Sequence, residues 1–98
     1  MLRSKNKKRR YPEVSCADFK RVLKLLGFEQ EARKATSHEQ WSRLVNGSKR
    51  KVTVDCPKAP FRSPLLDIMV KSQMGITKDE FFDALENKVI PADFKAKQ

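Results

Sequence analysis

Apolar residues near the start of the chain recur with the period of an α-helix. Four of them follow the i, i+3, i+4, i+7 spacing that places side chains on one helix face: Phe19, Val22, Leu23 and Leu26. Ser15, followed three residues later by Asp18, is typical of a capped helix start. Gly27 supplies a residue that readily takes the left-handed conformation at a helix end. The pattern therefore predicts a helix between Ser15 and Gly27 with one buried face.

The middle of the chain has the composition of β-strands. Residues 28–33 give a weak strand pattern, residues 38–45 a better one, and Val52 and Val54 alternate in a third segment. Asn46-Gly47, between the last two segments, is typical of a tight hairpin turn. Alternation along the second strand puts Trp41, Arg43 and Val45 on one face and His38, Gln40, Ser42 and Leu44 on the other. Trp41 is interpreted as a core residue rather than a platform for an RNA base.

The last third of the chain predicts two more helices. Ser63-Pro64 is a typical start, with Ser63 as the cap and Pro64 at the first helical position, and Gly75 is the expected end. The apolar face of this helix is expected to contain Leu65, Ile68 and Met69. Thr77 and Glu80 have the spacing of a capping box, with Ile76 and Phe81 at the hydrophobic-staple positions. The final helix should begin near Lys78 and bury Phe81 or Phe82 with Leu85.

This order of elements predicts an α+β fold. We expect an α-β-β-β-α(-α) arrangement, in which helices cover one face of a three-stranded antiparallel sheet. The other sheet face is left to meet a ligand. A chain of 98 residues has the size of one domain. We expect the domain to occupy residues 13–90, between a flexible N-terminal arm at 1–12 and a C-terminal tail at 91–98.

Charge narrows the choice of partners. The chain carries 22 Lys and Arg against 12 Asp and Glu, a formal net charge of +10. Such a balance favours a polyanionic partner: a nucleic acid, an acidic protein or an anionic membrane surface. Six cations without an acid lie in the first ten residues, a composition typical of a disordered, non-specific phosphate-binding arm or of a merely solvated tail.

The apolar and cysteine content argues for a cytoplasmic protein. No apolar run has the length of a transmembrane helix, and no apolar segment follows the basic N-terminus as in a secretory signal. Cys16 and Cys56 show neither a disulfide framework nor a metal-ligand spacing. We expect them to be reduced thiols, and we expect no metal or other cofactor.

His38 is the candidate for chemistry. It is the only histidine of the chain, and imidazole is the side chain that exchanges protons near neutral pH. Arg33 and Lys34 precede it, and Lys51 should lie nearby on the third strand. These cations and Ser37 are candidate phosphate-binding residues. Ser37 has a second possible role, which is to cap the turn. The residues alone leave open whether His38 is catalytic or an ordinary surface histidine.

Several motifs, in order, resemble the HicA toxin family. They are Leu25-Leu26-Gly27-Phe28, Arg33-x-x-x-Ser37-His38-x-x-Trp41, Lys51-Val52-Thr53-Val54, Leu65-x-x-Ile68 and Gly75-Ile76-Thr77-x-x-x-Phe81. The resemblance covers about two thirds of the chain, from Phe19 to Leu85. Two departures are visible: the family's glycine before Ser-His is Thr36 here, and the third strand is followed by Asp55-Cys56-Pro57 where many members carry a histidine.

The resemblance implies a fold and a function. The fold would be similar to a double-stranded-RNA-binding domain. The activity would be metal-independent cleavage of mRNA, with His38 as general acid or base. The partners would be mRNA and a cognate HicB-type antitoxin that covers the active site, and the free toxin would be a cytoplasmic monomer.

Two functions of other classes stay open. A non-catalytic RNA-binding module of the double-stranded-RNA-binding type would share the same fold and charge. An adaptor that binds an acidic protein would share the charge. The enzyme differs from the binding module in losing turnover when His38 is replaced, and competition by RNA would separate the adaptor from both.

Overall fold

The computed structural model of the protein describes residues 11–31 and 38–94. These described residues form three helices: α1 (Cys16–Leu25), α2 (Leu65–Asp67, continuing as a π-helical stretch over Ile68–Met74) and α3 (Lys78–Asn87). The strands are β1 (Glu29–Gln30), β2 (His38–Val45) and β3 (Ser48–Asp55), and short 3₁₀ turns occupy Cys56–Lys58 and Ala92–Phe94. The predicted α+β class and the α-β-β-β-α order are confirmed.

The sheet is antiparallel throughout, in the order β1-β2-β3. Asn46 and Gly47 join β2 to β3, and both have positive φ, 52° and 85°. This is the conformation that a two-residue turn needs to match the twist of the strands it connects. The turn sets the pairing: Val45 lies opposite Ser48, and the ladder continues without a bulge until His38 lies opposite Asp55.

The two faces of the sheet differ as alternation predicts. Trp41, Val45, Val52 and Val54 are buried on the inner face, which packs against the helices. Trp41 is only 3% exposed, so its interpretation as a core residue is confirmed. The outer face carries His38 and the polar members of both strands, together with Leu44, which is 64% exposed.

Helix α1 begins and ends as predicted. The Ser15 side chain accepts a hydrogen bond from the backbone N–H of Asp18, which satisfies one of the donors that a helix start leaves unpaired. All four predicted apolar positions are buried: Phe19, Val22, Leu23 and Leu26. Gly27 follows the helix with φ 87°, so its predicted left-handed conformation is confirmed.

Two arginines on the inner face hold the ends of two helices. Arg43 and Arg50 are cross-strand partners. Arg43 Nη1 donates to the carbonyl of Leu26 at the end of α1, and Arg50 Nη1 donates to the carbonyl of Met74 at the end of the π-helical stretch, 2.9 Å away. Both guanidinium groups lie over the ring of Phe94, 5.3 and 5.4 Å from its centre. Positive charge is favourable at helix C-termini, where carbonyls lack intrahelical partners.

The second helix departs from its prediction. Pro64 is the capping residue rather than the first helical residue, and the Ser63 hydroxyl contacts the Asp67 carboxylate instead of capping a backbone N–H. Ile68, predicted to be buried, is 48% exposed. The buried positions of this segment are Leu66, Met69, Val70 and Met74. These positions recur at i, i+3, i+4 and i+8, so the inward face keeps a helical period but starts at Leu66 rather than at Leu65, and this places Ile68 on the opposite side.

Helix α3 confirms its predicted capping box. The Thr77 hydroxyl accepts from the Glu80 N–H at 3.0 Å, and the Glu80 carboxylate accepts from the Thr77 N–H at 2.9 Å. Ile76 lies with Phe81 in the core, as the staple positions predict. Phe81 and Phe82 are both fully buried, so the helix buries two aromatic rings rather than one.

The packed unit is wider than the predicted range 13–90. Tyr11 stacks on Phe82 with 5.3 Å between ring centres, and its hydroxyl donates to Asp79 at 2.6 Å. Phe94, placed in the tail by the sequence interpretation, is 3% exposed between the two arginines. Residues 1–10 of the expected arm and 95–98 of the tail lie outside the described residues.

The cysteines do not form the pair of free thiols expected from the sequence. Cys16 and Cys56 form a disulfide, with their Cα atoms 5.4 Å apart. The fold brings them together because α1 begins beside the turn that follows β3, a proximity that a sequence separation of 40 does not reveal. Among the described helices, none has the length and apolar character needed to cross a bilayer.

Loss of the disulfide should destabilise the fold. Closing a loop of 40 residues removes conformational entropy from the unfolded chain and stabilises the folded state by about 2 to 4 kcal/mol. We expect the Cys16→Ser/Cys56→Ser double variant to lower the free energy of unfolding by that amount in urea denaturation. Addition of a reductant should destabilise the parent protein to the same extent and leave the double variant unchanged. Equal stability of parent and variant under oxidising conditions would contradict this expectation.

Candidate functional site

His38 and Asp55 lie opposite each other at one end of the sheet. His38 is the first residue of β2 and Asp55 the last of β3. Cross-strand partners share a face, so both side chains point outward, and His38 Nδ1 lies 3.6 Å from Asp55 Oδ2. The His38 side chain is 55% exposed and the Asp55 side chain 15% exposed. A well-shielded carboxylate therefore lies behind a solvent-accessible imidazole.

This arrangement suits proton transfer. A carboxylate beside one ring nitrogen sets the orientation and tautomer of an imidazole and directs the other nitrogen to a substrate. The separation of 3.6 Å is an ion-pair distance, longer than a hydrogen bond. Catalytic hydrogen bonds in unliganded sites are often long and shorten when the substrate binds.

A pocket of about 200 Å³ adjoins the pair, between β3 and the segment that includes α2. His38, Asp55 and Lys58 lie on its polar side. Lys58 belongs to the 3₁₀ turn directly after β3 and is exposed. The side chains of a histidine, an aspartate and a lysine therefore line the same pocket.

The far side of the pocket is mostly apolar. Phe61, Leu65 and Met69 line it, together with the amide side chain of Gln73. Gln73 Oε1 accepts a hydrogen bond from the backbone N–H of Thr53, at 3.0 Å. This bond satisfies a donor on β3, the edge strand of the sheet, and joins the π-helical stretch to that edge. The Thr53 hydroxyl in turn donates to Gln40 Oε1 at 3.0 Å.

Of the predicted phosphate-binding residues, Lys51 is the one that the described part of the chain includes. Lys51 lies on the outer face, four residues before Asp55, which is about 13 Å along an extended strand. Its ammonium group is 3.6 Å from Glu31, and Lys49 is 3.1 Å from the same carboxylate. Arg33, Lys34 and Ser37 lie outside the described residues. The structure thus places Lys58 in the lining of the pocket that includes His38, whereas Lys51 is not part of that lining.

Metal-ligating residues do not cluster in the part of the chain that the structure describes. No group of three or more His, Cys, Asp or Glu side chains is close enough there to hold a metal ion. Cys16 and Cys56 are joined to each other.

Sequence reasoning missed Asp55, Lys58 and Gln73. The cross-strand partner of His38 could have been predicted from the sequence. In a hairpin with a two-residue turn, the residue numbers of paired positions always add to the same sum. With the turn at Asn46-Gly47, this rule pairs His38 with Asp55. Lys58 then follows as a neighbour of that strand end. Gln73 gives no such signal, since its place depends on how the irregular helix packs against β3.

The chain matches no known family model, no curated protein and no solved structure.

Glu31 should make the stability of the protein depend on pH. Hydrogen bonds from Ser42 and then Lys49 hold the pKa of the Glu31 carboxyl below its ordinary value of 4.5. A lowered pKa in the folded state stabilises the protein above pH 4.5, and this contribution disappears as the pH falls through the folded-state pKa. We expect Glu31→Gln to be less stable than the parent at pH 6, with the difference shrinking as the pH falls below 4.5. Urea denaturation across this range measures it, and a difference that does not depend on pH would contradict the assignment.

Proposed function

We propose that the protein is a metal-independent endoribonuclease that cleaves mRNA and acts as the toxin of a toxin–antitoxin pair. The observation that supports this best is the His38–Asp55 pair at the mouth of a pocket lined by Lys58. It joins a proton-transferring group, a group that orients it and a cation, which are the parts that cleavage of a phosphodiester requires. The resemblance of the Ser37-His38 region to HicA toxins supports the same function.

The reaction needs only the RNA, these side chains and water. The 2′-oxygen attacks the neighbouring phosphorus and loses its proton, the bond from phosphorus to the 5′-oxygen breaks, and the departing oxygen takes up a proton. The products are a 2′,3′-cyclic phosphate and a free 5′-hydroxyl. His38 Nε2 performs one of the two proton transfers and water performs the other. A single positioned imidazole contributes roughly 10²- to 10⁴-fold to such a step.

The neighbouring residues then have distinct roles. Asp55 is a positioning residue that holds the His38 ring, and Lys58 stabilises the negative charge that develops on the phosphoryl oxygens. Arg33, Lys34, Ser37 and Lys51 remain candidate contacts to phosphates further along the RNA. No cofactor enters the reaction.

A toxin of this kind acts where mRNA is, in the cytoplasm, and must be silenced in its own cell. We propose a HicB-type antitoxin that covers His38, and a free toxin that is monomeric. The cytoplasm keeps most thiols reduced, so the Cys16–Cys56 bond would be exposed to reduction there. Activity is therefore best measured both with and without a reductant.

Replacement of His38 should abolish cleavage and leave the fold intact. The side chain is more than half exposed, so His38→Ala removes little packing. We expect the rate of mRNA cleavage by the variant to fall about 10²- to 10⁴-fold, with an unchanged circular dichroism spectrum. Cleavage by the parent protein should continue in excess chelator. Asp55→Asn should give a smaller loss together with a displaced pH–rate profile, because it changes the surroundings of His38.

Three outcomes of this experiment would each contradict one part of the proposal. Parental cleavage by His38→Ala would exclude His38 as the acid or base. Loss of cleavage in chelator, restored by magnesium, would exclude the metal-independent mechanism. RNA binding without any cleavage, unaffected by the His38 variant, would favour a non-catalytic RNA-binding module.

The antitoxin should bind through the cationic surface near His38. Opposite charges speed association and make it depend on salt. We expect charge reversal at Lys58, or at Arg33 and Lys34, to weaken antitoxin binding most strongly at low salt. Reversal of Lys24, at the last turn of α1, is the matched control and should have little effect. Undiminished affinity in the Lys58 variant and in the Arg33 and Lys34 variant would instead place the antitoxin on another surface.

A further inference from the structure

The pocket beside His38 has a recognition group that the proposed cleavage chemistry does not use. Gln73 lies on its wall with His38, Thr53 and Lys58. A phosphodiester held between His38 and Lys58 occupies only the opening. The apolar surfaces of Phe61, Leu65 and Met69 then lie within the same pocket, where the neighbouring part of the RNA can reach them.

The orientation of the Gln73 amide is set by its surroundings. The oxygen and nitrogen of a glutamine amide are normally hard to distinguish. Here the backbone N–H of Thr53 is a donor, so the amide group must turn its oxygen towards it, at 3.0 Å. The NH₂ group at the other side of the amide can only donate hydrogen bonds. Gln73 is therefore suited to a partner that offers an acceptor.

The size and lining of the pocket limit the occupant. Sites for drug-sized molecules usually measure about 300 to 1,000 Å³, and this pocket is smaller, about 200 Å³. It suits one planar ring system. Apolar side chains such as Leu65 and Met69 offer contact to the faces of a ring, and the methionine sulfur adds a favourable contact with aromatic groups.

We propose that this pocket binds the nucleobase next to the scissile phosphate and that the Gln73 NH₂ group recognises the base by donating to an acceptor on its edge. Uracil, cytosine and guanine offer a carbonyl oxygen there, and adenine offers ring nitrogens, so the contact holds a base in place without excluding adenine. The inference rests on the proposed function, because it assumes that the phosphate binds at His38 and Lys58. It adds a residue that holds the base beside the reacting phosphate.

Gln73→Glu is the informative variant. The carboxylate keeps an oxygen to accept from the Thr53 N–H and removes both donors of the amide. A lost hydrogen bond of this kind corresponds to about a tenfold change in affinity. General repulsion of the phosphate by the new charge would weaken all nucleotides alike, so the ratio between bases isolates the loss of the donor. Gln30→Glu, on the exposed strand β1, is the control for added charge.

The first measurement is binding of uridine 3′-monophosphate and of the nucleotide in which 2,4-difluorotoluene, a ring of the same shape without strong acceptors, replaces uracil. Isothermal titration calorimetry gives both affinities in every variant, and the side-chain amide resonances of Gln73 are followed in the parent protein. We expect the uridine nucleotide to bind about tenfold more tightly, with a shift of these resonances. Gln73→Glu should remove the preference, and Gln30→Glu should retain it. Gln73→Met, which keeps the length of the side chain without charge, should also remove it. Equal binding of both nucleotides, or a preference that survives both Gln73 variants, would overturn the proposal.

The second measurement is cleavage of short RNAs that carry either uracil or 2,4-difluorotoluene on one side of a single phosphodiester. We expect faster cleavage with uracil at one of the two positions, and Gln73→Glu should reduce this preference. Cleavage that depends on His38 but shows no base preference would overturn the base pocket and leave the nuclease standing. Nucleotide binding that depends on Gln73, without cleavage of any RNA, would support the pocket and overturn the nuclease.

Discussion

The guanidinium pair of Arg43 and Arg50 connects the sheet, two helix ends and the C-terminal turn. Each arginine donates to the last carbonyls of a different helix, and both lie over Phe94. Two positive charges side by side on adjacent strands would repel each other without these partners. The carbonyls of Leu26 and Met74, and the π-face of Phe94, supply the compensating negative potential.

The same contacts explain why glycine follows each of these helix ends. Gly27 and Gly75 both have left-handed backbone conformations, with φ near 87° and 80°. A Cβ atom at either glycine would also lie 3.1 or 2.7 Å from a guanidinium nitrogen. The left-handed backbone conformation and the close approach of the arginine side chain thus both require glycine at these two positions. The end of the π-helical stretch is held against the sheet in this way, and Gln73 lies one residue before that end.

The positive charge of the protein is not spread evenly over the chain. Lys49 and Lys51 on the outer face lie close to Glu31, which reduces the positive potential of that part of the sheet. Lys58 is near His38, and six of the chain's cations belong to the first ten residues. In the proposed ribonuclease, attraction for RNA and contact with the reacting phosphate would therefore depend on different parts of the chain.

Regular elements were predictable from the sequence, and irregular ones were not. The capping residues of α1 and α3 act within four positions, so Ser15, Thr77 and Glu80 identify their helices without tertiary information. The π-helical stretch, the buried Phe94 and the disulfide depend on packing between distant segments, which no local pattern encodes. The candidate site shows the same division, because the hairpin determines the partner of His38 whereas packing places Gln73.

The hairpin turn has a consequence for the site at the opposite end of the strands. Asn46-Gly47 lies about 25 Å from His38 along an extended strand. One inserted residue at the turn, without a compensating bulge, would shift the pairing by one position and place an inward-facing residue of β3 opposite His38. Asp55 would then lose its place beside the imidazole, although neither residue had changed. Turn length is thus as much a determinant of this site as the identity of its side chains.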